Sequence, residues 1–143
     1  MNMYKKVEAV LYNYNETKAE IKNLDLEIES LENGYKGIVA MTYEEKSTPT
    51  NKFNSSVENE VVNKDEQLIK LRNIKRFKEI QIEKIDNALN ILDERDYEII
   101  KLRYISGKKY SWFQIAEMLR LSDATCRLRR GAIIKRLSNV IFT

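Results

Sequence analysis

From Met3 to about Asn33, apolar residues recur on two seams. Val7, Tyr14, Ile21 and Ile28 fall every seven residues, and Val10, Thr17, Leu24 and Leu31 follow three places on. Four heptads of this kind predict one long helix with a polar weak point at Thr17. Charged residues fill the rest, so the narrow seam calls for a helical partner, either another part of the chain or a second copy. Gly34, Gly37, Ser47-Thr48-Pro49-Thr50-Asn51 and Asn54-Ser55-Ser56 then break the pattern with turn chemistry. This predicts a flexible loop over 34–56, long for a compact domain, which also holds Tyr35, Ile38, Val39, Met41, Tyr43 and Phe53. Ser55-Ser56-Val57-Glu58 has the spacing of a capping box and starts a second helix running to about Ile91. Its apolar face holds Val61, Leu68, Leu71, Ile74, Ile82, Ile85 and Leu89, and Phe77 and Ile80 widen it enough to predict neighbours on two sides.

The last stretch is patterned differently. Asp93 is placed to cap a helix from Glu94 to Ile105 that buries Tyr97, Ile100 or Ile99, Leu102 and Tyr104, with Gly107 as its C-cap. Trp112, Ile115, Ala116 and Leu119 lie on one face of the next helix. Arg120-Leu121 makes a tight connection, and Ser122 is a good N-cap for a third helix. There Cys126, Ile133, Ile134 and Leu137 are apolar, and Arg127, Arg129, Arg130, Lys135 and Arg136 are basic. Asp123 in the first turn suits the positive end of the helix dipole. Ala116 is small enough to let a second helix cross closely. Helix, short turn and capped helix fit a DNA-binding helix-turn-helix, and equally an ordinary helical hairpin with a basic solvated face. The expected fold is all-α: a helical hairpin or coiled-coil-like region over 1–91, then a three-helix helix-turn-helix domain over 92–143 that folds on its own.

Composition narrows the choice. Four Gly and one Pro in 143 residues agree with an all-helical chain. There is no histidine, and Cys126 is the only cysteine, so an intrachain disulfide and the usual kind of zinc site are both excluded. Neither a membrane-spanning apolar run nor the apolar core of a signal peptide is visible, so a cytoplasmic protein is expected. No catalytic constellation stands out, and no enzyme activity or cofactor is expected. Charge is the most informative property. Residues 99–143 hold ten Lys or Arg against Glu117 and Asp123, a net of +8, whereas the preceding 98 residues carry a net of −5. A basic segment on an otherwise acidic chain is the footprint of a phosphate-backbone binder, so double-stranded DNA is the expected partner.

Residues 92–137 resemble the −35-reading domain of bacterial sigma factors, region 4. The resemblance is carried by Leu92-Asp93-Glu94-Arg95, by Leu102-Arg103-Tyr104 with Gly107, and by Ile115-Ala116-Glu117-Met118-Leu119. It continues through Leu121-Ser122 and Thr125 to Ile133, Lys135, Arg136 and Leu137. Two departures stand out. Arg129 and Arg130 occupy a place that is usually aliphatic, and Leu128 stands where many members carry a polar base-reading residue. Residues 1–91 do not resemble sigma region 2. The whole layout is similar to small phage-encoded late-gene activators of the RinA and ArpU type, which implies a sequence-specific transcriptional regulator, in phage or prophage an activator.

The match to region 4 implies that Asp123, Ala124, Arg127 and Leu128 meet base edges, with Thr125 in the same turns. Arg127 has the chemistry for a guanine edge. Lys108, Lys109, Arg120, Arg130 and Lys135 are phosphate candidates, and Ser122 could cap the helix and also donate to a phosphate. For each cation, a solvated surface charge is the plain alternative. Trp112 and Cys126 are expected in the core, and Phe113 as an exposed partner contact. Two rival functions stay open: a phage terminase small subunit, and an RNA polymerase-binding module that does not read DNA. RNA polymerase and a second copy, paired through the N-terminal helices, are the other partners left open.

Overall fold

Asn2 opens the first helix, α1 (Met3–Tyr12), its side-chain oxygen accepting from the Lys5 amide at 2.8 Å. Asn13 interrupts the helix for one residue, and α2 (Tyr14–Glu45) resumes at once, with the Thr17 amide donating to the Asn13 carbonyl at 2.8 Å. The expected single helix is therefore two segments in near continuity. The computed structural model describes residues 2–45 and 52–143, with the side chains of 35–62 outside the description. The other helices are α3 (Lys52–Asn90), α4 (Glu94–Ile100), α5 (Trp112–Met118) and α6 (Asp123–Ile141). A π-helical turn, Lys101–Ile105, continues α4 directly. The described residues are all-helical, with no strand, and none of their helices is long and apolar enough to cross a membrane.

Helix takes up much of the stretch expected to be a loop over 34–56. Helix continues through Gly34 and Gly37 to Glu45 and begins again at Lys52. A helix-interior glycine costs only about 1 kcal/mol against alanine, and Tyr35, Ile38, Val39 and Thr42 keep helical spacing across the stretch. The residues between, 46–51, lie outside the described residues, as do the side chains of the expected capping box at Ser55 and Glu58.

The chain divides into two compact units, Met1–Lys18 with Ile80–Thr143, and Ala19–Glu79. The first is wider than the domain expected over 92–143, because α1 packs along α6 and the π turn. Val7 and Leu11 are fully buried there, and so are Ile85, Ile99, Ile100 and Leu137. Polar contacts fix the same elements. The Tyr104 hydroxyl donates to Glu8 Oε2 at 2.8 Å, the Tyr14 hydroxyl to Asp86 at 2.6 Å, and Asn15 Nδ2 to the Ile105 carbonyl at 2.6 Å. Burial, reinforced by the Glu8 and Asp86 carboxylates respectively, holds the Tyr104 and Tyr14 phenols above the ordinary tyrosine range. Tyr97, expected inside, is 39% exposed, while Ile99 and Ile100 both face the core.

In the second unit α2 and α3 run antiparallel, cross-linked by the ion pairs Glu20–Lys78, Asp25–Lys75 and Glu32–Arg72. Ile28 of the predicted seam is buried in this unit, as Val7, Tyr14 and Thr17 are in the first. The seam thus finds covering residues within the chain. The second apolar side expected on α3 has no neighbour among the described residues: Phe77 is 72% exposed and Ile69 58%.

Candidate nucleic-acid interface

The candidate interface is built on α5 and α6, and local chemistry fixes how they meet. Ser111 caps α5 reciprocally with Gln114, a Ser-x-x-Gln signature that is visible in the sequence. At its far end the Leu121 amide reaches the Ala116 carbonyl at 2.8 Å and the Arg120 amide the Glu117 carbonyl at 3.2 Å. This six-to-one, five-to-two pairing closes the helix and needs a left-handed residue, which is Arg120 at φ 56°. Ser122 then caps α6 by accepting from the Thr125 amide at 3.1 Å, and its hydroxyl donates to Thr125 Oγ1 at 2.8 Å. The two helices are in contact, and Ile115 and Ala116 of α5 and Cys126, Ile133 and Ile134 of α6 are buried. Leu137 and Ile141 extend the buried face of α6 to its last turn.

Gly107 does not serve as the left-handed cap expected of it. Among the described residues no glycine has a positive φ, and Lys109, at φ 47°, takes the turn before α5. Ser106 closes the π turn instead, its amide donating to the Lys101 carbonyl at 2.7 Å and its hydroxyl to the Leu102 carbonyl at 2.9 Å.

Helix geometry decides what α6 shows to solvent. Ala124, Leu128, Gly131 and Lys135 recur at helical spacing opposite the buried Cys126, Ile133 and Leu137, and all four are exposed. Arg127, Asp123 and Thr125 flank this stripe and are exposed as well. Leu128 is 76% exposed. Lys108, Lys109 and Arg120 are exposed on the connections at either end of α5, with Lys109 Nζ 5.5 Å from the Tyr12 ring centre. Gly131 is the one member of the face that the sequence pattern did not single out. Its place three residues after Leu128 was the available signal.

Arg130, one of the phosphate candidates, lies over aromatic rings. It is half-buried, with its guanidinium 4.8 Å from the Trp112 ring centre and 6.0 Å from that of Tyr4. Arg103 stacks on Trp112 too, at 5.1 Å. Arg129 turns to Asp96, 3.7 Å away. The guanidinium of Arg130 is thus received by aromatic rings and that of Arg129 by a carboxylate. Trp112 is half-buried and meets Tyr104 edge-on at 6.1 Å, whereas Phe113 is 62% exposed. Cys126 is 1% exposed, and burial, with Asp123 nearby, pushes its thiol above the usual range. Among the described residues no cluster of His, Cys, Asp or Glu could hold a metal ion.

A basic, capped helix with an open outward face can present side chains to a polyanion. No curated protein and no solved structure matches this sequence. The profile of one family, described as Protein of unknown function (DUF722), matches residues 3–139, and the chain belongs to that family.

Proposed function

We propose that this chain is a sequence-specific DNA-binding transcriptional regulator that uses α5 and α6 as a helix-turn-helix, with α6 as the recognition helix. The observation that carries the reading is the outward face of α6. Ala124, Arg127 and Leu128 all stand exposed in its first turns, on a helix whose opposite side is buried in a unit where it packs on α1, α4 and α5. The excess of basic residues over 99–143 supports the same reading. In this reading Lys108, Lys109, Arg120 and Lys135 meet phosphates and set the register, while Arg127 offers a two-pronged donor to a guanine edge. The resemblance to sigma region 4 and to phage late-gene activators supplies the biological role, which is to raise transcription of phage late or related genes.

Selection of bound fragments from random duplex DNA, followed by fluorescence anisotropy on the recovered site, tests the proposal. Arg127→Ala is expected to lose about 1–3 kcal/mol on that site and to relax one base position. An equal loss on random duplex reduces Arg127 to a phosphate contact. No binding of any duplex at about 50 mM salt, where phosphate contacts are strong, overturns the reading.

One observation favours a second reading. Phe113 is 62% exposed on α5, the helix that does not enter the groove. An apolar ring there suits a protein partner such as RNA polymerase. Retention of polymerase with no shift of any DNA fragment is the result that selects this alternative.

A further inference from the structure

Leu128 is the most exposed large apolar side chain among the described residues, at 76%. It sits on the outward face of the helix that the preceding section assigns to the major groove. Ala124 lies one turn before it and Gly131 one turn after, so the centre of the face carries no hydrogen-bonding side chain. A recognition helix that reads bases only through amides, guanidiniums or carboxylates would have no use for this surface.

Resting on the DNA-binding reading, we propose that Leu128, with Ala124 beside it, reads the 5-methyl group of thymine in the major groove. Of the groups that base pairs display there, the thymine methyl is the one that is apolar, and the others are hydrogen-bond donors and acceptors. Charge names the class of occupant. The face lies in a segment with a net charge of +8, and Arg127 and Lys135 stand exposed around it, which disfavours a purely apolar protein partner and suits a polyanion. Gly131 adds an independent indication of close approach. A Cβ built there meets nothing within 4 Å, so no packing inside the chain requires glycine at this helical position. Glycine is a poor helix former, and its use on this face leaves bare backbone for an outside surface to approach. The site thus contains thymine where Leu128 points, beside the base met by Arg127.

The test uses the intact chain and the best site recovered from a random duplex library. Each thymine of that site is replaced singly by deoxyuridine, which lacks only the methyl, and affinity is read by anisotropy at one fixed salt concentration. At one or two positions the loss of the methyl is expected to weaken binding about fourfold, the worth of one buried methyl-sized group. In Leu128→Ala the same replacements are expected to have no effect. Leu128→Gln serves as a second variant, since a side chain this exposed is not needed for folding, which circular dichroism checks. A site with no methyl-sensitive thymine overturns the inference, and so does methyl sensitivity that persists in both variants. Either result leaves DNA binding itself standing. Failure to bind any duplex removes the DNA-binding reading and this inference together.

Discussion

Leu11→Ala tests whether α1 belongs to the core beneath α6. Leu11 is fully buried on the side of α1 that packs along α6 and the π turn, one turn after the equally buried Val7. Cutting leucine back to alanine in a core costs about 2–5 kcal/mol, depending on how far the surroundings collapse into the gap. Collapse is restricted here, because α1 is tied to the π turn by the bond from Tyr104 to Glu8 and by the edge-on contact of Tyr12 with Tyr104 at 4.7 Å. The upper half of that range is therefore expected, roughly 3.5–5 kcal/mol of a total on the order of 5–15. At about 4–8 °C per kcal/mol for a unit below roughly 100 residues, the melting temperature should fall by about 14–40 °C. Trp112, the only tryptophan, lies in this unit, so its fluorescence in a urea titration reports the right transition. Leu26→Ala, at a position 62% exposed, is the control and should stay within about 0.5 kcal/mol. The same reasoning expects an isolated 92–143 fragment, stripped of Val7 and Leu11, to lack a cooperative transition. A loss below about 1 kcal/mol for Leu11→Ala, or a fragment that melts cooperatively at the intact chain's midpoint, refutes it.

Three further expectations follow from contacts already described. Arg130→Ala should destabilise by about 0.5–2 kcal/mol through the lost ring contacts, whereas Lys135→Ala should leave stability unchanged and lower the slope of log affinity against log salt by about 0.9; denaturation and salt-titrated anisotropy of both variants check the contrast, and the reverse pattern would make Arg130 a phosphate contact instead. Tyr104→Phe removes a hydrogen bond to a carboxylate, worth about 1.5–3 kcal/mol at neutral pH. Because the folded phenol is held above 10.0, its stabilisation is complete below the unfolded value and is lost as pH rises towards the folded one. The wild type should therefore lose stability above about pH 10 more steeply than the Phe variant, in urea titrations across that range. Cys126, buried and with its thiol pushed up, holds less thiolate than a free cysteine at any given pH, so a disulfide-exchange reagent should label it only as fast as the unit opens. Rapid labelling in native buffer contradicts that placement.

What could be read from the sequence was local. Asp93 and Ser122 cap α4 and α6 as their side-chain chemistry dictates, and Cys126, Ile133, Ile134 and Leu137 are buried because helical spacing puts them on one face. Partner choice was less accessible. A heptad seam says that α1 has an apolar side but not what covers it, and Leu11 escaped notice because it lies off the seam, although it is four residues from Val7. Arg130 read as a phosphate candidate because its rings are remote in sequence, Trp112 on another helix and Tyr4 at the other end of the chain. Turn-forming residues misled in both directions. Gly34 and Gly37 sit inside α2, while the left-handed positions fall to Lys109 and Arg120, where a closing hydrogen-bond pattern overrides intrinsic preference. Within the candidate interface, periodicity alone put Ala124, Leu128 and Lys135 outward and Arg129 and Arg130 off that stripe, but not the carboxylate and the rings that receive the two arginines.

The π turn at Lys101–Ile105 also bears on how this chain can change length. Its Ser106-to-Lys101 bond spans one residue more than an α-helical turn would. A single-residue deletion there could be absorbed with every backbone bond re-formed at the shorter α spacing, so the local helix would tolerate it. The residues beyond would then be turned by about 100° and drawn in by about 1.5 Å. Tyr104 would swing away from Glu8, and the chain entering α5 would start from a different bearing. Deletions in this segment should therefore preserve helix content while misdirecting everything downstream, a class of defect that circular dichroism alone would miss. Substitutions that keep the residue count should be tolerated at its exposed position, Lys101.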